Sequence, residues 1–136
     1  MKKFLLFAAV GLFATTSFAQ KYDDIKAFIT LGQTAKAKEL FDKNSTNEKF
    51  FAKPEGHLIK AFILGSLAVS DTTKSESTSA KTLDGYNAFM KYKEMEPSLK
   101  LLEDPIYQNT PYWLYASFYN LAVPSLTSQE NSELAS

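Results

Sequence analysis

The sequence predicts an all-α protein, and three observations lead there. Large apolar residues recur at intervals of three and four. Prolines and glycines punctuate the spaces between those runs, where helices start and turn. Alternating runs of β-branched and aromatic residues are nearly absent. The 136 residues suit one domain of ordinary size, and a 45% hydrophobic, 14% aromatic composition is too apolar for a disordered chain.

The first nineteen residues stand apart from that domain. Lys2 and Lys3 form a short basic start, and Phe4 to Ala14 is an uncharged apolar stretch. Ser17-Phe18-Ala19 then places small residues at the positions a signal peptidase reads. This layout predicts a cleavable secretory leader, residues 1–19, with cleavage after Ala19. The competing reading is a membrane anchor. A stretch of eleven residues, rising about 1.5 Å each, falls well short of the ~30 Å of hydrocarbon a span must cross. Removing Lys2 and Lys3 leaves 13 lysines against 15 acids. The two-lysine leader is typical of bacterial export, so the expected destination is the periplasm or exterior of a gram-negative bacterium.

Residues 20–123 read as about five to six helices. Tyr22, Ile25, Phe28 and Ile29 make a helical stripe that Gly32 interrupts. Thr34 is expected to cap a second helix, residues 35–43, with Ala37, Leu40 and Phe41 inward. Pro54 and Gly56 mark the entrance to a third, with Glu55 near the positive end of its dipole. Residues 57–70 are apolar around more than half the circumference, which predicts a central helix packed on two sides. Residues 71–80 lack a large apolar side chain and are expected to form a mobile surface loop. A fourth helix, 81–95, should turn Leu83, Tyr86, Phe89, Met90 and Tyr92 to the core and end before Pro97. Residues 98–104 suggest one helical turn. The last helix, 112–123, is the most aromatic, with Thr110 as cap, Pro111 in its first turn and Pro124 as its stop. A polar tail, 124–136, is expected to be disordered or truncated.

Gly32, Ala37 and Phe41 stand where a tetratricopeptide repeat has its turn glycine, small residue and aromatic, and Phe28 matches the late aromatic of the first helix. Ala61, Leu64, Gly85, Phe89 and Pro97 fit a second unit, and Ala116 and Tyr119 the start of a third. The chain therefore resembles a secreted, bacterial-type, tetratricopeptide-like helical repeat protein. Lys21, Asn44 and Lys49 depart from the pattern, and the second unit exceeds the usual 34 residues. The resemblance implies stacked antiparallel helical hairpins, an α-solenoid whose face holds a protein or peptide. It further implies an unpaired third unit, hence the start of a longer repeat protein or a tail that folds as a weak cap.

Composition narrows the chemistry. With no cysteine there is no disulfide framework, thiolate nucleophile or cysteine-bearing metal site, and no lipoprotein anchor. Without arginine, and with 15 lysines matched by 15 acids, nucleic acid is not an expected partner. His57, the one histidine, has Lys60, Ala61 and Leu64 at helical spacing, so a solvated or capping role is expected over a metal ligand. The acidic pairs Asp23-Asp24 and Glu103-Asp104 suit helix starts better than acid–base catalysis. The glycosylation-like Asn44-Ser45-Thr46 has meaning only in a eukaryotic secretory route. No phosphate loop, nucleophile elbow or calcium loop is present. No catalytic residue, cofactor or metal is expected.

Tyr107, Tyr112, Trp113, Tyr115, Phe118 and Tyr119 form the aromatic cluster. Most of it is expected in the core of the third unit, with Tyr112 or Tyr115 at the surface. Tyr112, Trp113, Tyr115 and Tyr119 are the candidate partner-binding residues. The expected function is an exported, non-catalytic scaffold for a protein or peptide, without a stable membrane anchor after cleavage. Two alternatives stand beside it: the N-terminal part of a longer enzyme or enzyme-associated protein, and a small-ligand or carbohydrate-binding module.

Overall fold

A computed structural model describes residues 19–134, with side chains to Pro124. The leader therefore lies outside the described residues up to residue 18. Within them the chain is all-helical, without a strand. Residues 19–30 are helical (α1). There follow α2 (Thr34–Ser45), a 3₁₀ turn (Glu48–Ala52), α3 (Pro54–Ser70), α4 (Glu76–Met95), a second 3₁₀ turn (Lys100–Glu103) and α5 (Thr110–Leu134).

Gly32 ends α1 in the left-handed region, φ 69°, where a side chain would be strained. The Gly32 N–H donates to the Ile29 carbonyl and the Gln33 N–H to that of Phe28, so two terminal carbonyls are satisfied. Thr34 does not cap α2. The boundary residue is Gln33, which makes no side-chain capping bond, and Thr34 is already helical. The first 3₁₀ turn, which has no apolar periodicity of its own, carries the fully buried Phe50. Pro54 opens α3 at its first turn, as expected from its fixed φ.

Helix α3 is central. It packs against α2, the first 3₁₀ turn, α4 and α5. Leu58, Ile59 and Ile63 share a core with Tyr22 and Ile25 of α1, Ala37 and Phe41 of α2, Phe50, Tyr92 and Tyr107. Edge-on ring pairs link Tyr22 to Phe50 at 4.9 Å and Phe50 to Phe41 at 5.5 Å, the geometry aromatic quadrupoles favour. A smaller cluster of Ala61, Ala88 and Leu114 joins α3, α4 and α5.

Several sequence expectations give way here. Residues 71–80 are not one long loop: α4 begins at Glu76. Small polar residues supply the missing inward contacts. Thr78 is buried with its hydroxyl on Asp71 Oδ2 at 2.7 Å, and Thr82 is buried with its hydroxyl on the Thr78 carbonyl at 3.0 Å. The inward stripe of α4 is thus Thr78, Thr82, Gly85, Ala88 and Tyr92. Leu83, Tyr86 and Met90, expected in the core, are exposed. Gly85 explains the close approach: a Cβ there would lie 3.1 Å from Leu114 Cδ2 and 3.2 Å from Leu64 Cβ. At the far end of the chain Pro124 sits inside α5 instead of ending it. Proline removes one backbone hydrogen bond without obliging the helix to stop.

Candidate functional site

The position of α5 depends on a polar lock in the segment before it. Tyr107 is fully buried and its hydroxyl donates to Glu55 Oε1 at 2.9 Å. The same oxygen lies 3.2 Å from Lys26 Nζ, which also reaches Asp23 Oδ1 at 3.0 Å. Helix α1, the start of α3 and the approach to α5 are thereby tied together. Burial raises the Tyr107 phenol far above its ordinary value, and the Glu55 charge adds to the effect. Burial alone would lower the Lys26 ammonium, but its bonds to Asp23 and Glu55 leave it raised. Glu55, read from the sequence as a dipole partner, is in fact the acceptor at the centre of this lock.

Beyond the lock, α5 turns Thr110, Leu114 and Ser117 inward. These small and medium residues, three and four apart, leave the large aromatics outside. Tyr112 is 61% exposed, Tyr115 67% and Tyr119 57%. The expectation that most of the aromatic cluster is core is thus reversed, with Tyr107 the one fully buried member. The physical reason is Gly85, since its lack of a side chain lets Leu114 fill the α4–α5 seam and turns the rings away. Thr110 does not act as a cap either: it is buried within the helix, and its Oγ1 has no hydrogen-bond partner.

The exposed rings continue onto α4. Tyr86 meets Phe118 edge-on at 5.6 Å, and Tyr115 stacks on Tyr119 at 6.2 Å. Tyr86, Phe89, Pro111, Leu114, Tyr115 and Phe118 line an open apolar cleft of about 230 Å³. Leu83 and Met90 extend the same flank of α4. Of the four candidate residues, Tyr112 is exposed with its ring against that of Trp113 at 5.3 Å, while Tyr115 and Tyr119 lie on this outer face. Trp113 does not. It is half-buried on the other flank of α5, where it lines a separate cleft with Ile29, Thr30, Phe62 and Ile106. Tyr86, expected in the core, and Phe118, placed in the aromatic cluster but not among the candidates, belong to the site as well. The stripe of Thr78, Thr82, Gly85 and Ala88 was the available signal, because small residues at helical spacing mark a close helix contact and displace the large ones outward.

Comparison with protein-family models, with curated proteins and with solved structures finds no match. The site must be read from its own chemistry. From Pro105 to Gln129 the sequence has no charged residue. Around the cleft lie rings, a proline and aliphatic carbon, with phenol hydroxyls as polar tips. Such a surface offers shape and apolar contact, with no general base among its lining residues. Among the described residues no group of three or more His, Asp or Glu is placed to hold a metal ion, and no helix is long and apolar enough to cross a membrane.

Proposed function

We propose that the chain is an exported, non-catalytic scaffold of tetratricopeptide-like stacked hairpins that binds a protein or peptide on the outer face of α4 and α5. The observation that carries this reading is the exposure of Leu83, Tyr86, Met90, Tyr112, Tyr115, Phe118 and Tyr119 on two packed helices. A contiguous apolar surface of this kind is what soluble proteins keep for interaction. Tyrosine suits it, because its ring contributes contact area at small entropic cost and its hydroxyl tolerates water. The repeat arrangement is supported by Gly32 in its left-handed turn, by buried Ala37 and Phe41, and by Gly85 pressed against α3 and α5. Export rests on the leader.

The test is selection of a displayed random-peptide library on the purified chain. Recovered peptides should be rich in large apolar residues, and the paired substitution Tyr115→Ser with Tyr119→Ser should weaken them at least tenfold. Failure to recover a binder, or binders indifferent to that pair, overturns the partner face. Export is checked separately, by N-terminal sequencing of the periplasmic or secreted product, which should begin at Gln20.

A further inference from the structure

Another cleft lies on the opposite flank of α4, and no part of the proposed scaffold role uses it. Three elements build it. Helix α4 supplies Asp84, Asn87, Ala88 and Lys91, spaced at three, four and seven residues and so on one stripe. Helix α3 supplies His57 and Lys60, one turn apart, and the first 3₁₀ turn supplies Phe51. The space they enclose is about 370 Å³, open to solvent, within the range of small-ligand sites.

The register of α3 against α4 sets the order of groups along it. Gly85 faces Leu64 and Gly65, while Lys91 acts on His57, so the two helices run in opposite directions. One end of the cleft therefore holds Phe51, His57 and Lys91, the middle Lys60 and Asn87, and the far end Asp84. At the first end the rings of Phe51 and His57 lie 5.0 Å apart, tilted by 39°. They form an angled pair of rings in a cleft that Lys60 and Lys91 also line. Lys60 forms no ion pair among the described residues, and the ion pair of Lys91 is with Glu94 of its own helix, exposed and open to exchange. Asp84 likewise forms no ion pair among the described residues, which leaves a single carboxylate at the far end.

From this arrangement we infer that the cleft binds a small aromatic monocarboxylate. Its carboxylate sits between Lys60 and Lys91, and its ring lies on Phe51 and His57. Two cations with one distal anion favour a single negative charge. A dianion such as hydrogen phosphate gains no ring contact and meets the field of Asp84. His57 senses the positive charge of the two lysines. Burial holds the imidazole below its ordinary value, and Lys91 and Lys60 lower it further against the opposing effect of the Phe51 backbone. The charged groups acting on it are Lys60 from α3 and Lys91 from α4, with Asp84 at the far end of the cleft and no charged side chain lining it from the 3₁₀ turn.

The experiment follows the His57 ring protons by NMR while benzoate is added, which is unambiguous with one histidine in the chain. Benzoate should produce a saturable shift and raise the His57 pKa, because the bound carboxylate offsets the two lysines. Acetate and inorganic phosphate should bind at least fivefold more weakly. Lys60→Met and Lys91→Met should each weaken benzoate at least fivefold, with unchanged thermal melts showing that the fold is kept. Asp84→Asn should narrow the preference for benzoate over phosphate. A linear, unsaturable drift, or saturation that survives both lysine substitutions, overturns the inference. Neither result bears on peptide binding at Tyr115 and Tyr119, so the two readings fail independently.

Discussion

At Gly56 the fold depends on the absence of a side chain. The sequence explains this glycine as part of a helix entrance, but the tighter constraint is packing. A Cβ at Gly56 would run into the carbonyl oxygen of Phe50 and lie 3.2 Å from the Tyr22 hydroxyl. That hydroxyl donates to the same Phe50 carbonyl, so a methyl group must displace a hydrogen bond as well as backbone. Gly56→Ala should cost at least about 2 kcal/mol in a urea melt, toward the upper end of overpacking effects. Thr110 makes the opposite case. Its Oγ1 is buried without a partner, so Thr110→Val replaces an unsatisfied hydroxyl by a methyl of similar size. The same melt should show Thr110→Val as stable as the parent or more so. Thr82→Val, which forfeits a 3.0 Å bond to the Thr78 carbonyl, should lose about 1 kcal/mol.

Among the elements, α4 gains most from polar groups that the sequence pattern hides. Asp71 at the end of α3 accepts the Thr73 N–H at 3.0 Å, the Thr78 hydroxyl at 2.7 Å and Lys81 Nζ at 3.3 Å. These bonds hold the first turn of α4 against the end of α3. The Thr73 and Thr78 bonds, with Lys81 beside them, hold the Asp71 carboxyl well below the usual carboxylate range. A depressed folded-state value means the stabilisation is present above the unfolded value of about 3.9 and is lost as pH falls through the lower folded one. Asp71→Asn should therefore be less stable than the parent at pH 7, with the gap narrowing below about pH 4. Urea melts at pH 7 and pH 3 check this, and a gap of constant size would remove the charge from the explanation.

The same helix shows what sequence could and could not convey. The stripe of Tyr22, Ile25 and Ile29, the Gly32 turn, Pro54 and the apolar α3 were legible because hydrophobic periodicity and helix-end chemistry are local. Residues 76–80 were not, since Thr78 and Thr82 are buried through hydrogen bonds that no apolar count detects. The orientation of α4 and α5 was lost for a related reason. Gly85 draws Leu114 inward, and a reading by side-chain size places Leu83, Tyr86, Met90 and Phe118 on the wrong side. Of the candidate site, Tyr112, Tyr115 and Tyr119 could be named from composition. Their partners Tyr86 and Phe118 required the seam between two helices distant in sequence.

At the scale of the molecule, one central helix serves two surfaces. Helix α3 fixes α4, and α4 presents rings on the flank toward α5 and charged groups on the flank toward His57. The rigid lock of Glu55, Tyr107 and Lys26 holds α5 in place from the other side. The ring-bearing flank is the proposed binding surface. It is tested most directly by mapping backbone amide shifts while the protein is titrated with a peptide selected on it. Changes should concentrate at Tyr86, Tyr115, Phe118 and Tyr119, with Lys36 and Glu39 of α2 unmoved and the changes lost in the Tyr115→Ser, Tyr119→Ser pair. Changes centred on α2 or on the His57 cleft, or a pattern unaltered by that pair, would contradict it.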